Sequence, residues 1–527
     1  MKKILIFVAL FGAMFSSCYD DKGNYDYTII EGAENISSLL KEALDSTAFP
    51  SAVLFEEYKV DVKLPSEITD NYDIYWESIS RDNPGKICDG TTLTYVPEKL
   101  ISTLNLHIVA RHKIHGTEYV APKQININAS YGQGWLILGK KDGKSTFSFI
   151  EPISDGDYVN PQRLDWKISE NFKTDINPNA KEIDVVYYSF YDENNNQIMM
   201  NYITLKDNGD GELLDAIDFR RLSTMTENAM AQGYNNYKTA FYSGDISVYL
   251  SEDNLLYSKQ GNSPEDKFAS TPLAYKGKTY KASAILAPDQ MIQIGPNDAC
   301  YAPILNEEGT AIKFISMDKE GGMGIPGEIF DIKINQPTDI DLNNLPPSTV
   351  VTSLFSKYNS NTNFMYYIIL KTDSKYNLLT FEIERSSSWD FDMATGELII
   401  TEVMNYGNAK LKELNNGTIT DNTILVKGDE NGNHHFFFKD KKIYVITADG
   451  DIAEYFTLED EILEINTNPQ ASEIIAITKS GKFIVISVAK DLQNPEITLN
   501  KQFDVDEFID VTYKYSTFMD ARTEKKD

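Results

Sequence analysis

The sequence predicts an all-β protein that consists of a small sandwich followed by a larger set of antiparallel sheets. Three observations support this fold class. Many short segments alternate apolar and polar residues, Gly, Asn and Asp residues separate these segments, and paired segments recur along the chain. Alternation with a period of two places one face of a strand in a core and the other in water, and Gly, Asn and Asp favour turns. The paired segments therefore indicate hairpins.

The N-terminus has the pattern of a bacterial lipoprotein signal. Two lysines precede an apolar stretch over residues 4–14, which is too short to span a bilayer as a helix, and two serines precede Cys18. The thiol of Cys18 is the nucleophile expected to receive a lipid, although Phe15 stands where an aliphatic residue is usual. The alternative is an ordinary secretory signal in which Cys18 is incidental. Residues 1–17 are then the signal peptide, and the polar residues 18–34 form a flexible tether.

Composition limits the number of domains and the class of partner. The chain has 527 residues and a formal net charge of -30. This length exceeds what one hydrophobic core normally serves, so we expect two or more domains. Nucleic acid is not expected as a partner, because phosphate groups repel an acidic chain that has no dense basic patch. Besides Cys18, the sequence contains Cys88 and Cys300, which we expect to be buried free thiols.

Residues 35–129 are predicted to form an immunoglobulin-like sandwich. Several short strands with an alternating pattern fall within about 80 residues, a spacing typical of antiparallel sandwiches. Trp76 lies in one of these strands and is expected in the core. The alternative for Trp76, a platform on which a sugar stacks, agrees less well with the buried pattern of its neighbours. The predicted strands are Tyr58–Val62, Tyr72–Trp76, Leu104–Ala110 and Gln124–Asn128.

Residues 130–527 repeat a strand, a turn and a second strand roughly every 40 to 65 residues. One clear hairpin runs from Gly134 to Ile150 through the turn at Lys141–Gly143. Hairpins at this spacing cannot each bury their own apolar face, but stacking around an axis buries it, as in a β-propeller-like domain of about seven blades. A pair of stacked sandwiches is the main alternative. A transmembrane barrel is disfavoured, because the lipid would already attach the protein and the turns are irregularly spaced.

Helical patterns are few. Residues Asn35–Leu44 and Ser223–Gln232 have helix-compatible composition and spacing. We expect both segments to be helices on connections between β units.

Motifs for catalysis or metal binding are weak. His112 and His115 lack the supporting carboxylate spacing of a metal site, and the adjacent His434 and His435 fall on opposite faces of a strand. Carboxylates are too abundant for a catalytic pair to be identified from sequence. We therefore predict no catalytic residue, no metal and no cofactor. The acidic segments fit hairpin turns better than calcium loops; they are 207–212, 429–433 and 449–451.

The mature N-terminal string Cys18–Tyr27, the strand that bears Trp76 and the segment Gly134–Leu138 together resemble the PKD-like family lipoproteins of the Bacteroidetes. The resemblance implies a PKD-like or Ig-like module carried by a larger β region. It also implies a surface-exposed lipoprotein of the outer membrane, because acidic residues directly after the lipidated cysteine resemble the surface-export signal of these bacteria. Asp20–Asp21 is a short form of that signal, so a periplasm-facing orientation stays open. Members of the family are often associated with paired outer-membrane uptake systems.

Trp389 is the candidate ligand-binding residue. It lies in the polar stretch Ser386–Asp390, which is expected to be a loop, and its indole ring is suited to stack on a sugar or to cap a neighbouring blade. We expect a non-enzymatic protein, lipid-anchored at Cys18 to the outer membrane and facing the exterior. It would bind a polymeric nutrient (a polysaccharide or peptide) or a partner protein beside an outer-membrane transporter. The alternatives are a glycan- or peptide-degrading enzyme with carboxylates on the propeller face, and a structural accessory of an uptake complex.

Overall fold

The computed structural model describes most residues between Ala33 and Lys514. They divide into two compact units, the first of residues up to Pro97 together with Thr103–Asn126, and the second beginning at Ile127. The described ranges are 33–80, 84–98, 103–154, 163–191, 197–207, 211–224, 227, 237–243, 246–260, 267–286, 301–316, 327–331, 333–334, 338–357, 363–392, 397–414, 417–428, 434–468, 470–488, 492 and 494–514.

The first unit contains a four-stranded antiparallel sheet in the order β4-β3-β6-β7 and a two-stranded pair, β2-β5. Its core follows the predicted alternation, since Tyr58 and Val60 of β2 are buried whereas the residues between and after them are exposed. Trp76 is fully buried and meets the ring of Phe49 edge-on, with 6.2 Å between ring centroids. The predicted Ig-like sandwich with Trp76 in its core is therefore confirmed. The elements are α1 Ala33–Asp45, β1 Ala52–Val53, β2 Tyr58–Asp61, α2 Ser66–Asn71, β3 Tyr72–Ser78, β4 Gly85–Asp89, β5 Thr92–Tyr95, β6 Leu104–His112 and β7 Glu118–Ile125.

The second unit is built almost entirely of strands that pair with their neighbours in the chain. Its strands are β8 Ile127–Asn128, β9 Gly134–Lys141, β10 Lys144–Ser154, β11 Arg163–Lys173, β12 Glu182–Tyr191, β13 Gln197–Lys206, β14 Gly211–Asp215, β15 Arg221–Thr224, β16 Tyr237–Ser243, β17 Ile246–Ser251, β18 Leu256–Gln260, β19 Ala274–Tyr275, β20 Lys278–Thr279, β21 Ala282–Ile285, β22 Tyr301–Asn306, β23 Ile312–Ser316, β24 Ile329–Phe330, β25 Lys333–Ile334, β26 Thr349–Lys357, β27 Asn363–Thr372, β28 Lys375–Asp392, β29 Glu397–Glu413, β30 Val426–Lys427, β31 His434–Lys439, β32 Lys442–Thr447, β33 Ile452–Thr457, β34 Ile462–Thr467, β35 Glu473–Thr478, β36 Lys482–Ser487, β37 Glu496–Gln502 and β38 Glu507–Lys514.

These strands form seven sheets of three to five strands each, and a short β19-β20 hairpin lies between the third and fourth. We number the sheets along the chain. Sheet one is β11-β10-β9-β38, sheet two is β12 to β15, sheet three is β16 to β18, sheet four is β21 to β24, sheet five is β25-β29-β28-β27-β26, sheet six is β30 to β33 and sheet seven is β34 to β37.

One edge strand from each of the seven sheets contacts its counterpart in a neighbouring sheet, in a series that runs from β21 through β38 to β26. β38 contacts β12, β12 contacts β16 and β16 contacts β21, while β26 contacts β30, β30 contacts β34 and β34 returns to β38. We call these the inner strands. Successive small sheets whose inner strands meet around an axis define a propeller-like arrangement. The predicted all-β fold with about seven blades is therefore confirmed, and we call this region the propeller-like unit.

Apolar cores lie between neighbouring sheets, which explains the continuous apolar runs in their central strands. In β35, Ile474 packs into a cluster with sheet six, whereas the next residue, Ile475, packs into a cluster with sheet one. Adjacent residues of a strand point to opposite faces, so both faces of β35 are buried. β9 shows the same pattern, since Leu136 packs towards sheet two and Ile137 towards sheet seven.

The last described strand completes the first sheet. β38 pairs antiparallel with β9, so that Val511 lies opposite Ile137 and Tyr513 lies opposite Trp135. Trp135 and Tyr513 also meet edge-on, with 5.0 Å between their ring centroids. The two ends of the propeller-like unit are therefore held in one sheet, which joins sheet seven to sheet one.

The local turn predictions hold where the structure describes them. Asp142 and Gly143 both have positive φ, at 50° and 73°, and they connect β9 to β10 in a two-residue hairpin turn. The helix expected over Asn35–Leu44 lies within α1. The helix expected over Ser223–Gln232 is wrong at its start, because Ser223 pairs with Leu213 as part of β15. Of the remaining residues in that segment, Thr224 also lies in β15 and Glu227 is helical.

Candidate ligand-binding sites

Two of the cysteines lie outside the described residues, namely Cys18 and Cys300. Cys88 is a free, half-buried thiol whose sulfur accepts the backbone N–H of Thr94 at 3.4 Å. No helix among the described residues is both long and apolar enough to cross a membrane.

The histidines have local structural contacts. Nδ1 of His112 accepts the backbone N–H groups of Ile114 and His115, both at 3.2 Å, and the rings of His112 and His115 stack at 4.8 Å. That nitrogen therefore stabilises the β6–β7 turn. His435 is fully buried and meets the ring of Tyr367 at 4.1 Å. Within the described ranges, no group of three or more His, Cys, Asp or Glu side chains is placed to hold a metal ion.

The acidic turns have protein partners where they are described. Asp449 and Asp451 form ion pairs with Lys410 and Lys412, at 3.4 and 3.1 Å. Asp207 accepts a hydrogen bond from the side-chain amide of Asn177 at 2.7 Å. Residues 208–210 and 429–433 lie outside the described part of the chain.

Trp389 lies in strand β28 and not in a loop, which corrects the expectation for its backbone. β28 pairs with β27 only as far as Glu384, opposite Asn363, but it continues to pair with β29 as far as Asp392, opposite Glu397. From Arg385 to Asp392, β29 is thus the only paired strand among the described residues. We call this two-stranded extension, residues 385–392 and 397–404, the β-ribbon.

The register assigns each residue of the β-ribbon to one of two faces. Trp389 lies opposite Ile400 and Phe391 lies opposite Leu398, so these four residues share one face. The other face carries polar or acidic residues of β28, namely Ser386, Ser388, Asp390 and Asp392, and their β29 partners Val403, Thr401, Ile399 and Glu397. Eight paired positions at about 3.3 Å each give the β-ribbon a length of about 25 Å.

A cavity of about 390 Å³ opens in the second unit beside sheets one and two. One wall is the connection between β11 and β12, and the other is the β14–β15 turn with the adjacent end of β14. Its lining combines three cationic, two acidic, one amide and four apolar side chains: Lys173, Arg220, Arg221, Asp175, Glu212, Asn177, Ile176, Pro178, Leu214 and Phe219. We call it the arginine cavity.

The β14–β15 turn that presents the two arginines is rigidly held. The backbone N–H of Phe219 donates to the carbonyl of Asp215, and the N–H of Asp215 donates to the carbonyl of Arg220, both at 2.9 Å. Phe219 has a φ of 59°, which is unusual for a bulky residue, and its buried ring packs against Tyr131 and Phe172. Packing therefore maintains a strained backbone at this position. Burial raises the pKa of Asp218 in the same turn.

A carboxyl pair lies where the inner strands β34, β38 and β12 meet. Glu464 of β34 and Asp510 of β38 share a side-chain hydrogen bond, and Asp510 also accepts the backbone N–H of Ile183 in β12 at 2.7 Å. Burial, together with the nearby Glu182 and other acids, raises the pKa of Glu464 to about 7 and raises that of Asp510 as well. One proton shared between two carboxyl groups is the arrangement that such shifts indicate.

Lys514, at the end of β38, is a buried amine. Its side chain is fully buried, and Nζ donates to the carbonyl of Gly132 at 2.9 Å. Burial lowers its pKa to about 7. A lysine with a lowered pKa is a nucleophile in some enzymes, but this side chain has no exposed surface through which a substrate could approach. We therefore interpret Lys514 as structural.

Sequence reasoning missed the arginine cavity and the carboxyl pair. Arg220 and Arg221 are adjacent in a chain that has few arginines, and this pairing is the available sequence signal. The carboxyl pair has no local signal, because Glu464 and Asp510 meet only when the last strand returns to the inner ring.

Comparisons with known proteins match the two units differently. Residues 18–180 match the model of the PKD-like family, a range that includes the first unit and continues through β11 of the second. No curated protein matches the chain. Among solved structures, the chain is similar to the periplasmic gluconolactonase PpgL of Pseudomonas aeruginosa, with 10% identity over 73% of this chain and 99% of that one and a TM-score of 0.40.

Two further solved structures are similar at comparable levels. The β-propeller domain of Swd1 from Myceliophteria thermophila has 11% identity over 69% of this chain and 99% of that one, with a TM-score of 0.35. Apo AztD from Citrobacter koseri has 11% identity over 58% of this chain and 81% of that one, with a TM-score of 0.32. The assignment of a propeller-like unit rests on strand order, register and the cores between sheets.

Proposed function

We propose that this protein is a non-enzymatic, lipid-anchored surface protein that binds a polymeric nutrient, a glycan or a peptide, beside an outer-membrane transporter. The β-ribbon is the observation that carries the proposal. It extends sheet five past the end of β27, and its register gathers Trp389, Phe391, Leu398 and Ile400 on one face. Four aromatic and apolar positions together near the end of one face suit contact with an extended polymer.

The two kinds of polymer would use the β-ribbon differently. A glycan would stack the apolar face of its sugar rings on Trp389. A peptide could instead add as a strand to the edge of β28 beyond Glu384, where the described residues provide no β27 partner. The formal net charge of -30 favours neutral or basic polymers over acidic ones.

We predict that Trp389→Ala weakens binding to the best ligand from a panel of polysaccharides and peptides at least tenfold, which corresponds to about 1.4 kcal/mol. The protein for this experiment begins after Cys18, and affinity is measured by calorimetry. Ser388→Ala is the matched control, because Ser388 lies on the opposite face of the same ribbon, and it should bind like the wild type. Equal affinities for Trp389→Ala and the wild type would show that the β-ribbon is not part of the binding site.

A second candidate function, a peptide-degrading enzyme, is favoured by the carboxyl pair. Glu464 and Asp510 share a hydrogen bond, as do the two carboxyl groups of aspartic proteases, whereas glycosidases hold their carboxyl groups about 5 to 9.5 Å apart. Against this function, the backbone N–H groups of Ile183 and Val511 already donate to Asp510. Product analysis of every ligand in the panel distinguishes the two functions: cleavage that is lost in Asp510→Asn would establish the enzyme and overturn the binding proposal.

If Cys18 carries the lipid anchor, Cys18→Ser should release the protein from the membrane. Each buried acyl methylene contributes about 0.8 kcal/mol to membrane attachment, so a multiply acylated chain stays in the membrane. We expect the full chain, expressed in a Gram-negative host, to fractionate with the outer membrane and Cys18→Ser to be soluble. Digestion by protease added to intact cells reports the exterior orientation. Retention of Cys18→Ser in the membrane fraction would contradict lipidation at this residue.

A further inference from the structure

We infer that the open edge of β28 in the β-ribbon binds an extended peptide as an added strand, and that the favoured peptides alternate basic and apolar residues. This inference rests on the proposed function and selects one class of ligand for the same ribbon. A peptide that adds to a sheet edge gains affinity from main-chain hydrogen bonds and specificity from its alternate side chains. The backbone of the edge and the residue types along it therefore decide which peptide binds.

The edge of β28 is open along the β-ribbon among the described residues. At Ile383 the sheet still has its full width, because Ile383 pairs with Phe364 of β27, and Phe364 pairs with Lys357 of β26. Residues 385–392 lie beyond the described ends of both strands. Alternate residues of an antiparallel strand direct their N–H and C=O groups to opposite sides, so half of these positions present both groups away from β29. An added strand would satisfy these groups.

This edge lacks most of the features that protect sheet edges from added strands. Protected edges are usually short, bulged, or interrupted by proline or lysine. Residues 385–392 contain no proline and no lysine, and β28 pairs with β29 without a register shift from Glu382 to Asp392. The edge is about 25 Å long, which matches an extended peptide of about eight residues. Its geometry therefore favours a strand as the occupant.

The residue types along the outer half of the edge determine which peptide fits. Aromatic and acidic residues alternate there, namely Trp389, Asp390, Phe391 and Asp392. Opposite residues of paired strands share a face, so an added strand would place its residues in turn beside an aromatic and an acidic position. Opposite charges, and pairs of aromatic with β-branched residues, stabilise such contacts, whereas like charges destabilise them. The matching peptide therefore alternates an apolar, β-branched residue with lysine or arginine.

Charge distinguishes such a peptide from the other strand that could add here, which is β28 of a second copy of this chain. Two copies each carry a formal net charge of -30 and therefore repel each other. A basic peptide is instead attracted by the same net charge and by Asp390 and Asp392. The expected occupant is therefore a basic peptide segment and not another molecule of this protein.

The first test measures the binding of three synthetic peptides, by calorimetry at low salt, to the protein that begins after Cys18. One peptide alternates valine and lysine, one alternates valine and glutamate, and one arranges the residues of the first as a block of valines followed by a block of lysines. We expect the alternating lysine peptide to bind at least tenfold more tightly than either of the others, and added salt to weaken it. Equal binding of the glutamate peptide or of the block peptide would overturn the inference.

Methylation of the peptide backbone tests whether the peptide adds as a strand. N-methyl groups on alternate residues of the lysine peptide remove the N–H donors from only one of its two edges. Two such peptides, methylated either on every valine or on every lysine, should therefore differ at least tenfold in affinity. Equal affinities would contradict strand addition, because contacts made by side chains alone do not distinguish the two edges.

Charge reversal in the β-ribbon should reverse the preference. With Asp390→Lys and Asp392→Lys combined, we expect the glutamate peptide to bind at least tenfold more tightly than the lysine peptide. Asp373→Asn is the control, because Asp373 is exposed in the turn at the other end of β28, and it should leave the affinities unchanged. A retained preference for the lysine peptide in the double variant would overturn the inference. If that variant does not fold, the peptide comparisons on the wild type decide.

The outcomes also separate this inference from the proposed function. A polysaccharide that binds in a manner that depends on Trp389, while no peptide binds, would overturn the inference and leave the proposed function standing. If no ligand in the panel has an affinity that depends on Trp389, both are wrong. Wild-type dimers that dissociate in the double variant would identify a second copy as the occupant and overturn the inference.

Discussion

Replacement of Val511 by aspartate is expected to lower the free energy of unfolding of the propeller-like unit by about 4 kcal/mol or more. Val511 is 1% exposed, pairs with Ile137 and packs in the cluster that joins sheet seven to sheet one. A carboxylate at this position would be buried without a cationic partner in the cluster. It would also disrupt the apolar packing of β38 against β9. Urea unfolding followed by tryptophan fluorescence, with size-exclusion chromatography, measures the effect.

Ile497→Asp is the matched control for this prediction. Ile497 lies on β37 of sheet seven and is 47% exposed, so the same substitution there introduces a solvated charge. Its free energy of unfolding should stay within about 0.5 kcal/mol of the wild-type value. Equal losses for the two variants would mean that closure by β38 is not what stabilises the unit.

Stability is expected to fall as the pH rises from 5 to 7, and Glu464→Gln is expected to remove most of that fall. The pKa of Glu464 is raised to about 7 in the folded protein, whereas a glutamate in the unfolded chain has a pKa of about 4.3. Between these values the folded state holds a proton that the unfolded state has released. The free energy of unfolding therefore decreases with pH in this window, by about 2 kcal/mol between pH 5 and 7.

Below pH 7, the pH dependence of the free energy of unfolding reports the carboxyl pair and not Lys514. The pKa of Lys514 is lowered to about 7, so below that pH the amine is protonated in both the folded and the unfolded chain. Its contribution changes only at higher pH, where stability rises as the folded protein loses the buried charge. Glu461→Gln, in an exposed position of the same region, should keep the wild-type pH dependence. If the free energy of unfolding of Glu464→Gln falls with pH as steeply as that of the wild type, the pair does not share a proton.

The strands and turns of this protein were predictable because their determinants are local. Asp142–Gly143 specifies a two-residue turn whatever surrounds it, since both residues tolerate positive φ. The blade-like repeat was predictable for the same reason. β9 and β35 are apolar on both faces, which a half-exposed sheet would not allow.

The errors arose where pairing overrides local composition. Ser386–Asp390 is polar enough to indicate a loop, but each of its residues pairs with β29, whose Ile399 and Ile400 are strong strand formers. Ser223 begins a helix-compatible segment and yet pairs with Leu213. A partner strand lies outside any local window, so composition alone could not identify these two cases.

The candidate sites were less predictable than the fold, because they depend on residues that meet across the unit. Glu464 and Asp510 are brought together by the contact of β34 with β38. The arginine cavity requires the β11–β12 connection to lie across the β14–β15 turn. The sequence indicates Trp389 as a candidate because it lies in a polar stretch, whereas its neighbours on the β-ribbon face follow only from the register.

The pairing of β38 with β9 also sets the order of events during synthesis. Gln133 and Tyr513, which hydrogen-bond at 3.1 Å, are 380 residues apart in the chain. At about 5 to 20 residues per second, the ribosome needs roughly 20 to 80 seconds to make the chain between them. Any β9 strand that forms before β38 is made has one open edge, which is a hazard for aggregation. The sheet that joins the two ends of the unit can therefore form only after β38 has been made.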